Sequence, residues 1–136
     1  MGALNLAAIM ADLATAAQTA LATGRTAHGY PVEALQPGDA VVGYPEGEQA
    51  LTATFGRGLD RVSVPVFLVA GLPQDVGTRA LISSWLDDSS SVVTAIEGYA
   101  SSYWSSARVT GYSIDRFDPV GGNPMVVLKL TVDVLS

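Results

Sequence analysis

Residues 62–70 read VSVPVFLVA, and this run constrains the chain more than any other stretch. In an extended chain Val62, Val64, Val66, Leu68 and Ala70 point one way, and Ser63, Pro65, Phe67 and Val69 point the other. A period of two marks a strand with one face on a core. The second face is also largely apolar, which predicts that it too is covered, by a helix or by another subunit. Pro65 has no N–H to give to a ladder, so it predicts an edge strand or a bulge. A turn with glycines at 56 and 58 and the charges of Arg57, Asp60 and Arg61 leads into the strand. It lacks the G-x-G-x-x-G spacing of a phosphate loop, and a strand follows where such a loop needs a helix. It reads as a connection between strands, with a subunit contact as the second reading of its charges.

Residues 125–135 carry the cleanest alternation. Val126, Leu128, Leu130, Val132 and Val134 share one face, while Lys129, Thr131 and Asp133 share the other. One face is core, and the other is wet or interfacial. Residues 108–117 precede it as a partner strand. The turn between them, DPVGGNP, is rich in residues that permit tight reversal. Earlier in the chain, residues 39–44 read as a strand closed by Pro45, and residues 51–55 as an extension toward the charged turn. Residues 25–38 hold a short extended piece and a Pro/Gly turn.

Helical periodicity appears in three places. Over residues 4–22, Leu6, Ile9, Met10, Leu13, Ala17, Ala20 and Leu21 form one stripe, and Gly24 is a natural stop. After Pro73, Asp75 caps a helix whose apolar side is Ala80, Leu81, Ile82, Trp85 and Leu86. Asp87 to Ser91 then breaks that helix and caps a short one over 92–97, closed by Gly98; capping explains these acidic residues better than a cation site does. A serine-rich link follows. It carries Tyr103 and Trp104, which pack under the sheet edge or anchor an interface. The order is helix, two or three strands, two short helices, two strands. It predicts one domain over residues 1–136 with an α+β fold: a two-layer sandwich, mainly antiparallel, with helices packed on one face.

Composition narrows the function. Net charge is −6, with 7 basic and 13 acidic residues, which argues against gripping nucleic acid by its phosphates. Charged residues make up 15%, against about 25% in an average soluble domain. A small chain with so little charge is expected to cover apolar surface by subunit contacts. The alternative is an Ala- and Gly-rich compositional bias, which the six arginines to one lysine also fit. The first apolar stretch is broken by Asn5, Asp12, Thr15 and Gln18 and lacks a basic flank, so neither a signal peptide nor a membrane span is expected.

No catalytic constellation emerges. There is no cysteine, and His28 is the single histidine, without Cys, Asp or Glu at ligand spacing. Glu33, Glu46, Glu48, Asp115 and Asp118 could serve acid–base chemistry, but their spacing singles out none of them. The expectation is a non-enzyme with no metal and no cofactor. A small ligand-binding module is neither supported nor excluded.

Four stretches carry a family resemblance: LNLAAIMADLATA from residue 4, AVVGYPE at 40–46, TATFGRGLDRVSVPVFLVAG at 52–71 and RVTGYSIDRFDPVGGNPMVVLKLTVDV at 108–134. Through them the chain resembles the tail terminator (tail completion) proteins of long-tailed bacteriophages, most of all those of actinobacterial phages and prophages. The resemblance implies a structural virion protein of the siphovirus neck. Such α/β subunits form a ring, typically a hexameric ring. The ring caps the head-proximal end of the tail tube, ends tube polymerisation and serves head–tail joining by meeting the connector or stopper. Implied partners are further copies of the chain, the tail tube protein and the head–tail connector. DNA passes through the hole without specific binding, and no membrane is involved. The implied location is the virion, with assembly in the host cytoplasm. Candidate subunit or tube contacts are Phe55, Arg57, Asp60, Arg61, Tyr103, Trp104 and Asp118. The rival within the same class is another connector component, a stopper or an adaptor.

Overall fold

The computed structural model describes residues 6–21, 25–29, 38–45, 61–71, 76–86, 92–104, 106–117 and 125–135. Three helices, α1 (Leu6–Gln18), α2 (Val76–Trp85) and α3 (Val92–Gly98), accompany five strands. These are β1 (Ala27–His28), β2 (Ala40–Val42), β3 (Arg61–Gly71), β4 (Ser106–Phe117) and β5 (Met125–Leu135). The sheet order is β1-β2-β3-β5-β4. Every pairing is antiparallel except β1 with β2, which run parallel through Ala27 opposite Ala40 and His28 opposite Val41. The architecture is the expected α+β class, a mostly antiparallel sheet with three helices.

The two runs of strict alternation lie side by side at the centre of the sheet. Val62, Val64, Val66 and Leu68 stand opposite Val134, Val132, Leu130 and Leu128. All eight side chains face the core and are buried. Each such side chain contributes about 1.5–3 kcal/mol when taken fully out of water. The helices close over this face. Ile9, Leu13, Ala16 and Ala17 of α1, Ile82 and Trp85 of α2, and Val92 and Ile96 of α3 join the same cluster. The α1 stripe therefore stands as expected and is widened by Ala14 and Ala16, small enough to bring the helix close to its neighbours. In α2 the apolar side shifts: Thr78, Ile82 and Trp85 are buried, whereas Ala80 is exposed.

Pro65 overturns an expectation. It sits neither on an edge strand nor at a bulge but within the central strand, opposite Thr131 of β5. Its carbonyl accepts the Gly43 N–H at 2.9 Å, just past the end of β2. Residues of a strand turn their N–H and C=O alternately to the two neighbours. Pro65 thus turns its missing donor toward the last rung of the short β2 ladder, and the long β3–β5 ladder loses nothing. Gly43 is needed at that rung, because a Cβ there would come 2.8 Å from the Phe67 ring. The irregularity in β3 lies further on, between Val69 and Gly71.

The second face of the sheet carries Val41, Val69 and Val127, all buried and separate from the main cluster. The expected strand over 51–55, the charged turn at 56–60 and the turn at 118–124 lie outside the described residues.

Leu130→Ala tests the placement of the core. Leu130 is fully buried between β3 and β4, so truncation should cost about 2–5 kcal/mol in a urea unfolding curve. A loss below roughly 1 kcal/mol would be that of a surface residue and would contradict this packing.

Candidate interaction surfaces

The described residues hold no group of three or more His, Cys, Asp or Glu that could grip a metal ion. His28 is half-buried in β1 opposite Val41, within the sheet. What distinguishes the molecule is how its sheet edges and its apolar surface are treated.

An edge strand presents N–H and C=O groups to any chain that comes near. At the β1 edge one side chain fills that role. Gln18, in the last turn of α1, donates through Nε2 to the Arg25 carbonyl at 2.8 Å. Its Oε1 accepts the Ala27 N–H at 2.7 Å. An amide side chain has one donor group and one acceptor, so it can stand in for a missing strand over one rung. At the other edge, Glu97 of α3 accepts the Val109 N–H of β4 at 3.0 Å. A bulge between Val109 and Gly111 then bends β4. Past the bulge the guarding stops among the described residues. Every residue from Thr110 to Asp115 is exposed, including two large apolar ones, Tyr112 at 61% and Ile114 at 53%.

The backbone direction along this open stretch follows from the ladders. Pro65 and Val69 turn toward β2, through Gly43 N–H to Pro65 C=O and Val69 N–H to Asp39 C=O. By alternation Val64, Val66 and Leu68 turn toward β5, and their partners Val132, Leu130 and Leu128 turn back toward β3. Lys129 and Thr131 must then turn toward β4, where Ser113 and Gly111 meet them. Tyr112 and Ile114 consequently turn their N–H and C=O outward. Val109, which also turns outward, agrees with this through its bond to Glu97.

Apolar surface lies open at both ends of the sheet. A groove of about 750 Å³ runs between α1 and the β1 edge, lined by Leu6, Met10, Ala14, Ala27 and Tyr44, of which Met10 and Ala14 are themselves buried in the core. Tyr44 is 62% exposed. A smaller groove of about 360 Å³ lies between α2 and β4, where Ile82 and Leu86 meet Tyr112 and Ile114. The second sheet face is mixed. The Ser63 hydroxyl donates to Asp133 at 3.4 Å, and the Lys129 ammonium lies 6.0 Å from the centre of the Phe67 ring.

Of the residues singled out from sequence, Phe55, Arg57, Asp60 and Asp118 lie outside the described residues. Arg61 opens β3 opposite Leu135, and Ser106 pairs with the same Leu135. Arg61 and the link that carries Tyr103 and Trp104 into β4 therefore share one end of the sheet. Tyr103 is 44% exposed and available for contact. Trp104 is buried in the core cluster, its ring 6.1 Å from that of Tyr99, which makes it a packing residue in this chain. Sequence reasoning missed Gln18 and Glu97, whose roles depend on which strands end up at the edges. It also missed Tyr44, Tyr112 and Ile114. The period-two pattern of Thr110, Tyr112 and Ile114 was visible, but not that no described strand lies beside it on that side.

Comparison with known proteins found no matching family model and no similar curated protein. No helix among the described residues is long and apolar enough to cross a membrane.

Gln18→Ala should open the β1 edge while leaving the exposed side of α1 otherwise unchanged. Loss of the bridge costs about 1 kcal/mol, read as faster hydrogen exchange at the Ala27 amide. Unaltered exchange there would mean that Gln18 does not close this edge.

Proposed function

We propose that the chain is a ring-forming structural subunit of a bacteriophage neck, a tail terminator that ends growth of the tail tube and joins the tail to the head connector. Two lines support the reading. The sequence resembles such proteins over most of its length, and the α+β fold is of the class this resemblance implies.

The observation that carries it is the placement of open apolar surface. The α1–β1 groove with Tyr44 stands at one end of the sheet, and Tyr112 and Ile114 stand at the other. A closed ring joins each subunit to two neighbours through two different surfaces. A chain with apolar surface at both ends of one sheet has what such a contact needs. The acidic balance suits a hole through which DNA passes without sticking. Subunits would be held in the virion neck after assembly in the host cytoplasm, in contact with tube protein below and connector or stopper above.

Light scattering on the chain mixed with its cognate tail tube protein tests this. The chain mass is 14.0 kDa, so a six-membered ring has a mass of about 84 kDa by simple multiplication. A species of ring mass, bound to tube protein, is expected. Binding to the portal-side ring instead would reassign the chain as a stopper or adaptor, and no association with either would remove the neck assignment. Charge reversal at Arg57 or Asp60 should weaken that assembly without lowering the unfolding midpoint. Unchanged assembly in both variants would take the charged turn out of the contact.

A further inference from the structure

The open half of β4 is a self-complementary edge, and we propose that in the free protein it pairs antiparallel with the β4 of a second copy. The register is centred on Ser113. This goes beyond the ring reading and does not rest on it.

Three observations lead there. First, the β1 edge is closed by Gln18, and the first half of the β4 edge by Glu97 and the bulge. Among the described residues this leaves the stretch around 112–114 as the edge with outward backbone groups and no guard. Second, that stretch lacks the devices that blunt edges: it carries no proline and no lysine, and its two largest side chains are exposed and apolar. Third, the pattern fits itself in one register.

Outward-turned residues can only face outward-turned residues, so the possible centres are few. Centring on Ser113 puts Tyr112 of each copy opposite Ile114 of the other. Each of these pairs exchanges two backbone hydrogen bonds, and an aromatic side chain lies against a β-branched one on the same face. Asp115 falls opposite Gly111, so no like charges meet. Centring on Asp115 would set the two Asp115 carboxylates against each other. Centring on Tyr112 would set Ile114 of each copy against the bulge at Thr110 of the other and would lose both Tyr112–Ile114 contacts. Centring on Ile114 loses both Tyr112–Ile114 contacts. The paired Ser113 residues form a non-hydrogen-bonded rung, where Cα atoms come to about 4.5 Å; two small, exposed side chains suit it.

The contact is two-fold, and a ring contact is head-to-tail. The pairing therefore occupies one of the two end surfaces that ring closure would use, and dimer and ring exclude one another at that end. The contact is small, so the dimer belongs to the weak, concentration-dependent class.

The chain has no cysteine, so an introduced thiol reports a single position. Ser113→Cys, oxidised with diamide in the absence of any partner, should give a covalent dimer of about 28 kDa, because 4.5 Å is within disulfide reach. Asp115→Cys should not, since in this register its two copies lie about 13 Å apart along the strands. Adding Ile114→Lys to Ser113→Cys should lower the cross-linking rate about tenfold, with an unchanged unfolding midpoint showing that the fold is kept. No cross-link from Ser113→Cys, equal cross-linking from Asp115→Cys, or insensitivity to Ile114→Lys would each overturn the proposal. Failure of the ring reading shows separately, as no association of the unmodified chain with tube or portal-side protein.

Discussion

The pairing of β3 with β5 holds the molecule together. Two eleven-residue strands run antiparallel with their apolar faces in phase, so that Val64 meets Val132 and Leu68 meets Leu128 on one side of the sheet. A slip of one residue would put the two rows on opposite faces of the sheet and turn one of them away from the helices. The register is therefore set by burial, and the rest follows from it. Pro65 is tolerated because the alternation turns its missing N–H toward β2, not β5. The three helices cover the face that carries these rows. β4 can extend the sheet because β5 still has its other edge to offer.

What remains after the core is satisfied is a sheet with two ends, treated differently. At the β1 end a glutamine supplies the donor and the acceptor of a missing rung, and the two-residue strand gives an approaching chain little to template on. At the β4 end a glutamate and a bulge protect the first half, and the second half stays open. Natural edges are usually blunted along their length. An edge guarded only as far as its bulge, with exposed Tyr112 and Ile114 beyond, is the feature that most favours a life in contact with other subunits. It also accounts for a charge content that would be low for a monomer.

Much of the fold could be read from the residues because its central elements are governed by local pattern. The alternation of residues 62–70 and 125–135, the α1 stripe and the stop at Gly98 each express a periodicity that short windows reveal. The failures have a common origin in long-range pairing. Pro65 pointed to an edge strand or a bulge because a window cannot show which neighbour loses the donor. The parallel β1–β2 pair depends on two residues whose partners lie 13 positions away. Ala80 looked buried because alanine fits either face of a helix, and Thr78 took the inward place instead. The interaction surface was harder still. Trp104, which by pattern could either pack under the sheet edge or anchor an interface, packs inside, whereas Tyr112 and Ile114 sit in a well-patterned strand and are exposed because no further described strand or helix covers them.

The central claim is that this chain ends the growth of a tube, and tube length tests it most directly. Cognate tail tube protein would be polymerised alone and with increasing amounts of the chain, and lengths measured by electron microscopy. The account predicts tubes that shorten as the ratio of chain to tube protein rises, each stopped tube carrying one added ring at an end. Tubes of unchanged length, with no density added at either end, would contradict it.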